Sequence, residues 1–311
     1  MPGNLPSQSP PLFMKYIISI TVFFVFANVL NAYNQTDLSV INKLNLLESH
    51  TEGRIGIFAI NTANDHIIEY RSQEIFPTGC TSKVIGVAAV LEKSVSNPSL
   101  LLINMQYSEE ELDDWSPVTR HYVTTGMTVQ DLCAASISLS DNTAMNLLLK
   151  IIDGVQGMNN FAQSIGNLSF SQDHDWPAEA FSGGVNNYKD ASTPKSMVES
   201  LYKLTLSEIL DQPQRDLLIT WLMLSQTGAK RIKASLPQNW IVGNKTGTGA
   251  TYGSTNDLAI VWPPHHAPIF IGIYYTSDHE QAKKREDIVA EATRILIEEF
   301  TKNDKTLTYS I

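Results

Sequence analysis

The spacing of apolar residues changes character along the chain. Arg54-Ile-Gly-Ile-Phe-Ala-Ile60 and His66-Ile-Ile-Glu-Tyr70 flank the polar stretch Asn61-Thr-Ala-Asn-Asp65, which predicts a β-hairpin with a polar turn. Trp240-Ile-Val, Leu258-Ala-Ile-Val-Trp262 and Ile269-Phe-Ile-Gly-Ile-Tyr-Tyr275 predict three more strands, with Pro263, Pro264 and Pro268 punctuating the last connection. Val289, Ala292, Leu296 and Phe300 recur at helical spacing and predict a closing amphipathic helix. Helical stripes fill the middle. Val84, Val87, Ala88 and Leu91 form one, and Leu132, Cys133 and Ile137 belong to another. Leu147, Leu148 and Ile151 form a third, stopped by Gly154 in a helix C-terminal role. The expected class is α+β: strands from both ends of the chain build one antiparallel five-stranded sheet flanked by helices, and the middle is inserted as an all-helical lobe. From about 172 to 194 periodicity fades among Pro177, Gly183, Gly184, Asn186 and Asn187, and so long a loop inside a compact domain is usually functional.

Composition narrows the functional classes. A hydrophobic content of 43% in 311 residues supplies a sizeable core, and a formal charge of −10 without a Lys/Arg run argues against nucleic acid as a partner. Lys15 precedes a mostly apolar run from Tyr16 to Leu30 that ends in Asn31-Ala32, the layout of a secretory signal. A membrane anchor is the alternative, although the run is shorter than the ~20 residues a spanning helix prefers. Met14 stands directly before Lys15, so residues 1–13 read as an extension or a mis-assigned start. The expected organisation is 1–32 as extension and signal, 33–72 with 220–311 as an α/β lobe, and 73–219 as the helical lobe. The expected destination is the periplasm. Two cysteines, Cys80 and Cys133, make no recognisable disulfide framework, and the seven histidines show no ligand spacing, so no metal and no cofactor is expected.

Three short motifs carry the chemistry: Cys80-Thr-Ser-Lys83 at the start of the Val84 helix, Ser140-Asp-Asn142 before the Leu147 helix, and Lys245-Thr-Gly247 on a C-terminal strand. Residues three apart on a helix share a face, so Lys83 can reach the side chain at 80. A helix N-terminus there favours developing negative charge. Ser140 and Asn142 can bring a hydroxyl and an amide to the same cleft, and Lys245 with Thr246 a cation and a hydroxyl for a carboxylate.

In order and spacing these motifs resemble the S-x-x-K, S-D-N and K-T-G set of class A β-lactamases and penicillin-binding proteins. Flanking text extends the resemblance from about residue 40 to the C-terminus: Tyr107-Ser108, Trp115-Ser-Pro-Val118, Gly126-Met-Thr-Val129, Leu132-Cys-Ala-Ala135, Arg231-Ile-Lys-Ala234, Thr246-Gly-Thr-Gly249 and Asn256-Asp257. It implies a β-lactamase/transpeptidase-like fold, a monomer, and β-lactam antibiotics as substrate or ligand, opened through an acyl intermediate at position 80. It implies catalytic roles for Cys80, Lys83 and Ser140, and substrate contacts from Trp115, Asn142, Arg231, Lys245, Thr246 and Thr248. Arg231 would help hold the substrate carboxylate beside Thr246 and Thr248, Trp115 would stand at the cleft mouth, and the N–H groups of residues 80 and 248 would form the oxyanion hole.

Two positions depart from the family pattern. Cys80 stands where the family has its serine nucleophile. A thiol beside an ammonium at a helix N-terminus can serve as a nucleophile; an inert small residue is the alternative. In the long loop the family's Glu-Pro pair falls at Trp176-Pro177, so the glutamate that orients the deacylating water is replaced. The water-holding asparagine falls at or next to Ala180, Glu179 is the nearby carboxylate past Pro177, and one residue has been inserted in the loop. Asp190 matches the loop's anchoring aspartate, with His174 in place of its arginine partner. Two activities stay open: a β-lactamase with impaired turnover, and a protein that binds β-lactams or cell-wall peptides and releases them slowly or never. A transpeptidase is the weaker third.

Overall fold

The computed structural model describes residues 38–177 and 189–307. The expected signal stretch and the loop segment holding Glu179 and Ala180 lie outside the described residues. The expected sheet is observed. Strands β1 (Gly53–Asn61), β2 (His66–Tyr70), β3 (Ile241–Thr248), β4 (Thr255–Trp262) and β5 (Ile269–Ser277) lie in the order β2-β1-β5-β4-β3, every pair antiparallel. The first hairpin pairs Asn61 with His66, and Asn61 also pairs with Ile269 of β5, which places the N-terminal hairpin beside the C-terminal strands. The strand expected at Trp240 begins at Ile241 and runs on through the Lys245 motif.

Alternation along the strands sorts side chains onto two faces. Ile55, Ile57, Ala59, Ala259, Val261, Ile271 and Ile273 meet α1 (Leu38–Ser49) and the terminal helix α8 (Glu286–Asn303), which contributes Val289, Ala292, Leu296 and Phe300. Phe58, Leu258, Ile260, Phe270 and Tyr274 belong to the larger core on the opposite face. That core is built from α2 (Lys83–Ser96), α3 (Val129–Ser138), α4 (Asn142–Leu149), α5 (Gly154–Ser164), α6 (Pro194–Leu206) and α7 (Gln212–Met223).

One local expectation sharpens and one changes. The Val84 stripe belongs to a helix buried on every side, because every residue from Lys83 to Leu91 is buried. An apolar helix surrounded on all sides is a core helix, and here it carries the Cys80 turn into the middle of the molecule. Gly154 does not stop the Leu147 helix. That helix ends at Leu149, and Gly154 opens α5 after Asp153 and Gly154 have both taken left-handed backbone, at φ 63° and 70°. Aspartate and glycine are among the residues that tolerate this region.

Candidate active site

Cys80 lies in a single 3₁₀ turn, Gly79–Ser82, that leads directly into α2. Two glycines let strand β3 come close to it. A Cβ on Gly247 would stand 2.5 Å from the Thr78 carbonyl oxygen and 3.2 Å from the Cys80 nitrogen. One on Gly79, at φ 51°, would stand 3.2 Å from the Thr248 nitrogen. The missing side chains therefore bring the backbone nitrogens of residues 80 and 248 to the same corner of the cleft. Asn256 on β4 fastens the turn from behind, donating through Nδ2 to the carbonyls of Pro77 at 2.7 Å and Thr78 at 3.1 Å. Ser82 points away from the cleft, its hydroxyl donating to the Gly79 carbonyl at 2.9 Å.

The turn Ser140–Asn142 delivers two groups to one side and one to the other. Ser140 adopts φ 60°. Ser140 and Asn142 face the cleft. Asp141 points away into the protein, where its carboxylate accepts N–H bonds from Val118, Thr119 and Ala144, each at 2.9 Å. Lys83 is fully buried, and its Nζ donates to the Ser140 carbonyl at 2.7 Å, the Asn142 Oδ1 at 2.6 Å and the Asp141 carbonyl at 3.3 Å. Asn142 in turn donates through Nδ2 to Asp113 Oδ1 at 2.7 Å, which fixes which end of the amide faces the lysine.

Lys245 is equally buried and lies behind Ser140 rather than in the cleft wall: its Nζ donates to Ser140 Oγ at 2.8 Å and to the Thr246 carbonyl at 3.0 Å. Two buried ammonium groups beside one thiol set the electrostatics. Burial alone pushes the Cys80 thiol's pKa up, but Lys83, Lys245 and hydrogen bonding with Ser140 and Lys83 outweigh it, and the pKa falls below the usual cysteine value. Burial brings the Lys245 ammonium down to about 7; the thiolate and Asp257 oppose that shift, and Lys83 and Arg231 add to it.

The cleft has a volume of about 530 Å³, and its walls include Cys80, Trp115, Ser140, Asn142, Thr246 and Thr248. Arg231 is held by the carbonyls of Gly247 at 2.8 Å and Asn256 at 2.7 Å, and it donates to Thr248 Oγ1 at 2.6 Å. Its guanidinium is thus fixed against β3. Trp115 stands at the mouth, 56% exposed, with its indole N–H on the Leu139 carbonyl at 3.2 Å. Sequence reasoning missed Thr227, whose hydroxyl accepts from Thr246 Oγ1 at 2.8 Å, and Lys284 and Glu286, which close the far wall. No local motif marks these residues, since they reach the cleft from connections distant in sequence.

The loop position expected to match the family's glutamate holds a buried indole. Trp176 is 3% exposed, and the centroid of its ring lies 5.3 Å from Lys83 Nζ, a cation–π distance. Asn146 on α4 clasps the Trp176 backbone on both sides, its Oδ1 accepting the N–H at 2.9 Å and its Nδ2 donating to the carbonyl. The base of the loop is fastened through Asp190. His174 Nδ1 meets Asp190 Oδ2 at 2.7 Å, while Asp190 Oδ1 accepts from Gln172 Nε2 and from the N–H groups of Asp173 and His174.

A model of the "Beta-lactamase enzyme family" matches residues 39–300. A β-lactamase of Proteus vulgaris is 40% identical over 270 residues, covering 87% of this chain and 99% of the relative. The carbapenem-hydrolyzing β-lactamase KPC of Klebsiella oxytoca is 40% identical over 252 residues, 81% of this chain and 86% of the relative. Among solved structures, the β-lactamase from Desulfarculus baarsii DSM 2075 superposes with a TM-score of 0.83 at 37% identity, over 86% of this chain and 99% of that one.

Proposed function

The chain belongs to the class A β-lactamase family, and from that premise we propose that it captures β-lactams covalently on Cys80 and releases the acyl group slowly. The observation that carries the reading is the pairing of a thiol flanked by two buried lysines with a tryptophan ring in place of the loop carboxylate. A β-lactam would lie in the 530 Å³ cleft with its carboxylate toward Thr246, Thr248 and Arg231. Its carbonyl oxygen would lie toward the N–H groups of residues 80 and 248. Thiolate attack forms the C–S bond and breaks the lactam C–N bond. The ring nitrogen then takes a proton from the Ser140 hydroxyl, which the Lys245 ammonium resupplies across 2.8 Å. Hydrolysis of the thioester needs an activated water, and Trp176 has no group that can act as its base. General-base assistance is worth roughly 10²–10⁴ in rate, so release should limit the cycle.

Intact-mass measurement after exposure to benzylpenicillin tests this. A persistent adduct of one ligand, absent in Cys80→Ala, is the expected result, together with little colour change from a chromogenic cephalosporin. An unmodified wild-type protein that binds without reacting would favour the non-covalent binding reading instead.

The carboxylate subsite has its own test. Because the Lys245 cation acts through Ser140 and titrates at about 7, its charge is present below that pH and lost above it. In Cys80→Ala, which isolates binding from reaction, the thiolate that helps hold the Lys245 proton is gone, so β-lactam affinity in calorimetry should fall with rising pH at a midpoint below about 7. Adding Lys245→Ala should weaken binding on the acid side of that midpoint by about 1–3 kcal/mol and flatten the pH dependence. Equal affinity in both proteins would remove Lys245 from the subsite.

Export belongs to the same reading. The Lys15–Ala32 layout implies cleavage near Tyr33 and a periplasmic mature protein of Gram-negative type. The intact mass of fractionated native protein should correspond to a start near Tyr33. Recovery of the Tyr16–Leu30 stretch in the membrane fraction would favour an anchor.

A further inference from the structure

We infer that an acyl group captured on Cys80 does not remain on sulfur but passes to the Lys83 side-chain nitrogen, leaving an amide on Lys83 and a regenerated Cys80 thiol. The inference rests on the acylation of Cys80 proposed above, and three features of the site carry it beyond that point.

The first is placement. Cys80 and Lys83 are one turn apart where the 3₁₀ turn enters α2, and Lys83 is fully buried, so its amine stays beside the thiol. Lys83 Nζ has two short acceptors, Asn142 Oδ1 at 2.6 Å and the Ser140 carbonyl at 2.7 Å, and a longer one at 3.3 Å, the Asp141 carbonyl. Lys83 also shares a hydrogen bond with the Cys80 side chain, so one N–H direction points at the sulfur while Ser140 and Asn142 hold the others, and loss of that proton turns the lone pair toward position 80.

The second is charge. Burial lowers the Lys83 pKa below the usual lysine value, while the Cys80 thiolate, Asp141 and Asp113 raise it; Lys245, from β3, faces the same pocket with like charge. Acylation converts the thiolate into a neutral thioester. That removes the first of the groups holding the ammonium protonated, so Lys83 becomes a better nucleophile as the electrophile arrives beside it.

The third is the competing reaction. At position 176 hydrolysis meets no base but a buried indole, 5.3 Å from the amine. A well-oriented intramolecular nucleophile has an effective molarity of up to roughly 10⁵–10⁸ M. Even a small part of that advantage exceeds unassisted water. The step balances within the site. The Nζ lone pair forms the C–N bond, the C–S bond breaks, and the departing thiolate takes the proton lost by nitrogen. The product is inert, since an amide is a poor acyl donor and Lys83 no longer carries a charge. The cleft then works as a single-use acyl trap.

Benzylpenicillin is loaded at mildly acid pH, the excess is removed, and the pH is raised. At each stage the protein is treated with neutral hydroxylamine, which cleaves thioesters and spares amides, and with iodoacetamide, which reports free Cys80. The expected adduct is hydroxylamine-labile at first and becomes resistant as pH rises, with the added mass on the Lys83 peptide and about one equivalent of Cys80 alkylated again. An adduct that stays hydroxylamine-labile, with Cys80 blocked throughout, overturns the transfer and leaves the acylation reading standing. Absence of any penicillin adduct removes the acylation reading. In that case p-nitrophenyl acetate, an acyl donor that needs no β-lactam recognition, loads the thiol, and the same readouts decide the transfer. If it too leaves Cys80 unmodified, the transfer falls with the acylation.

Discussion

Placing serine at position 80 and glutamate at position 176 in the same chain should raise benzylpenicillin turnover by more than the product of the two single substitutions. Cys80→Ser alone replaces a thioester by an oxygen ester but leaves an indole at position 176, so the ester should accumulate. Trp176→Glu alone supplies the base for an acyl group that remains on sulfur. A nucleophile and the base that clears it act as one unit, and the effects of such groups do not add. The gain in the double variant should approach the roughly 10²–10⁴ that general-base assistance supplies. Two features favour a working carboxylate. Asn146 holds the backbone of residue 176 from both sides, and the His174–Asp190 contact fastens the loop's base, so the new side chain would issue from a fixed point. The indole's removal also frees volume beside Lys83 for the water. The cost is stability, because truncating a buried tryptophan removes about 3–5 kcal/mol in the extreme of alanine, so thermal melts must accompany the kinetics. A wild-type protein that already hydrolyses benzylpenicillin rapidly, with Cys80→Ala abolishing it, would contradict the premise and require another base.

Much of this site was legible in the chain because its parts sit at fixed local offsets. The Cys80–Lys83 spacing, the Ser140–Asn142 turn and the strand bearing Lys245 each place side chains by helical, turn or strand geometry alone, and all line or back one cleft. Pro177 gave the register in which Trp176 is expected at the glutamate's place, but not what the indole would do: its packing on Lys83 is a contact between a loop and a core helix. Thr227, Lys284 and Glu286 were missed for the same reason, since tertiary packing alone brings them to β3. Gly154 misled because glycine serves both to end helices and to permit a left-handed start, and local pattern does not separate the two.

Asp141→Ala should destabilise the protein by about 2–5 kcal/mol, set by buried donors left unpaired at about 1–3 kcal/mol each, although Asp141 itself never enters the cleft. The residue is fully buried, caps α4 through the Ala144 N–H, and ties in the loop that carries Trp115 through the N–H groups of Val118 and Thr119 and the Thr119 hydroxyl. Alanine would leave the Thr119 and Ala144 N–H groups buried without this partner and the Val118 N–H half-buried, at about 1–3 kcal/mol for each buried donor before relaxation. Asp141→Asn keeps the shape and one acceptor oxygen, so it should fall between wild type and alanine. Urea titration reads the loss as a lower midpoint with an unchanged slope. The consequence for the site follows from chain geometry: Ser140 and Asn142 face the cleft because Asp141, between them, is anchored on the other side. In Asp141→Ala held below its unfolding transition, Ser140 and Asn142 should lose their fixed position, and adduct formation at Cys80 should slow along with the loss of stability. An unchanged urea midpoint would show that the three N–H groups find other partners and that the turn holds without its carboxylate.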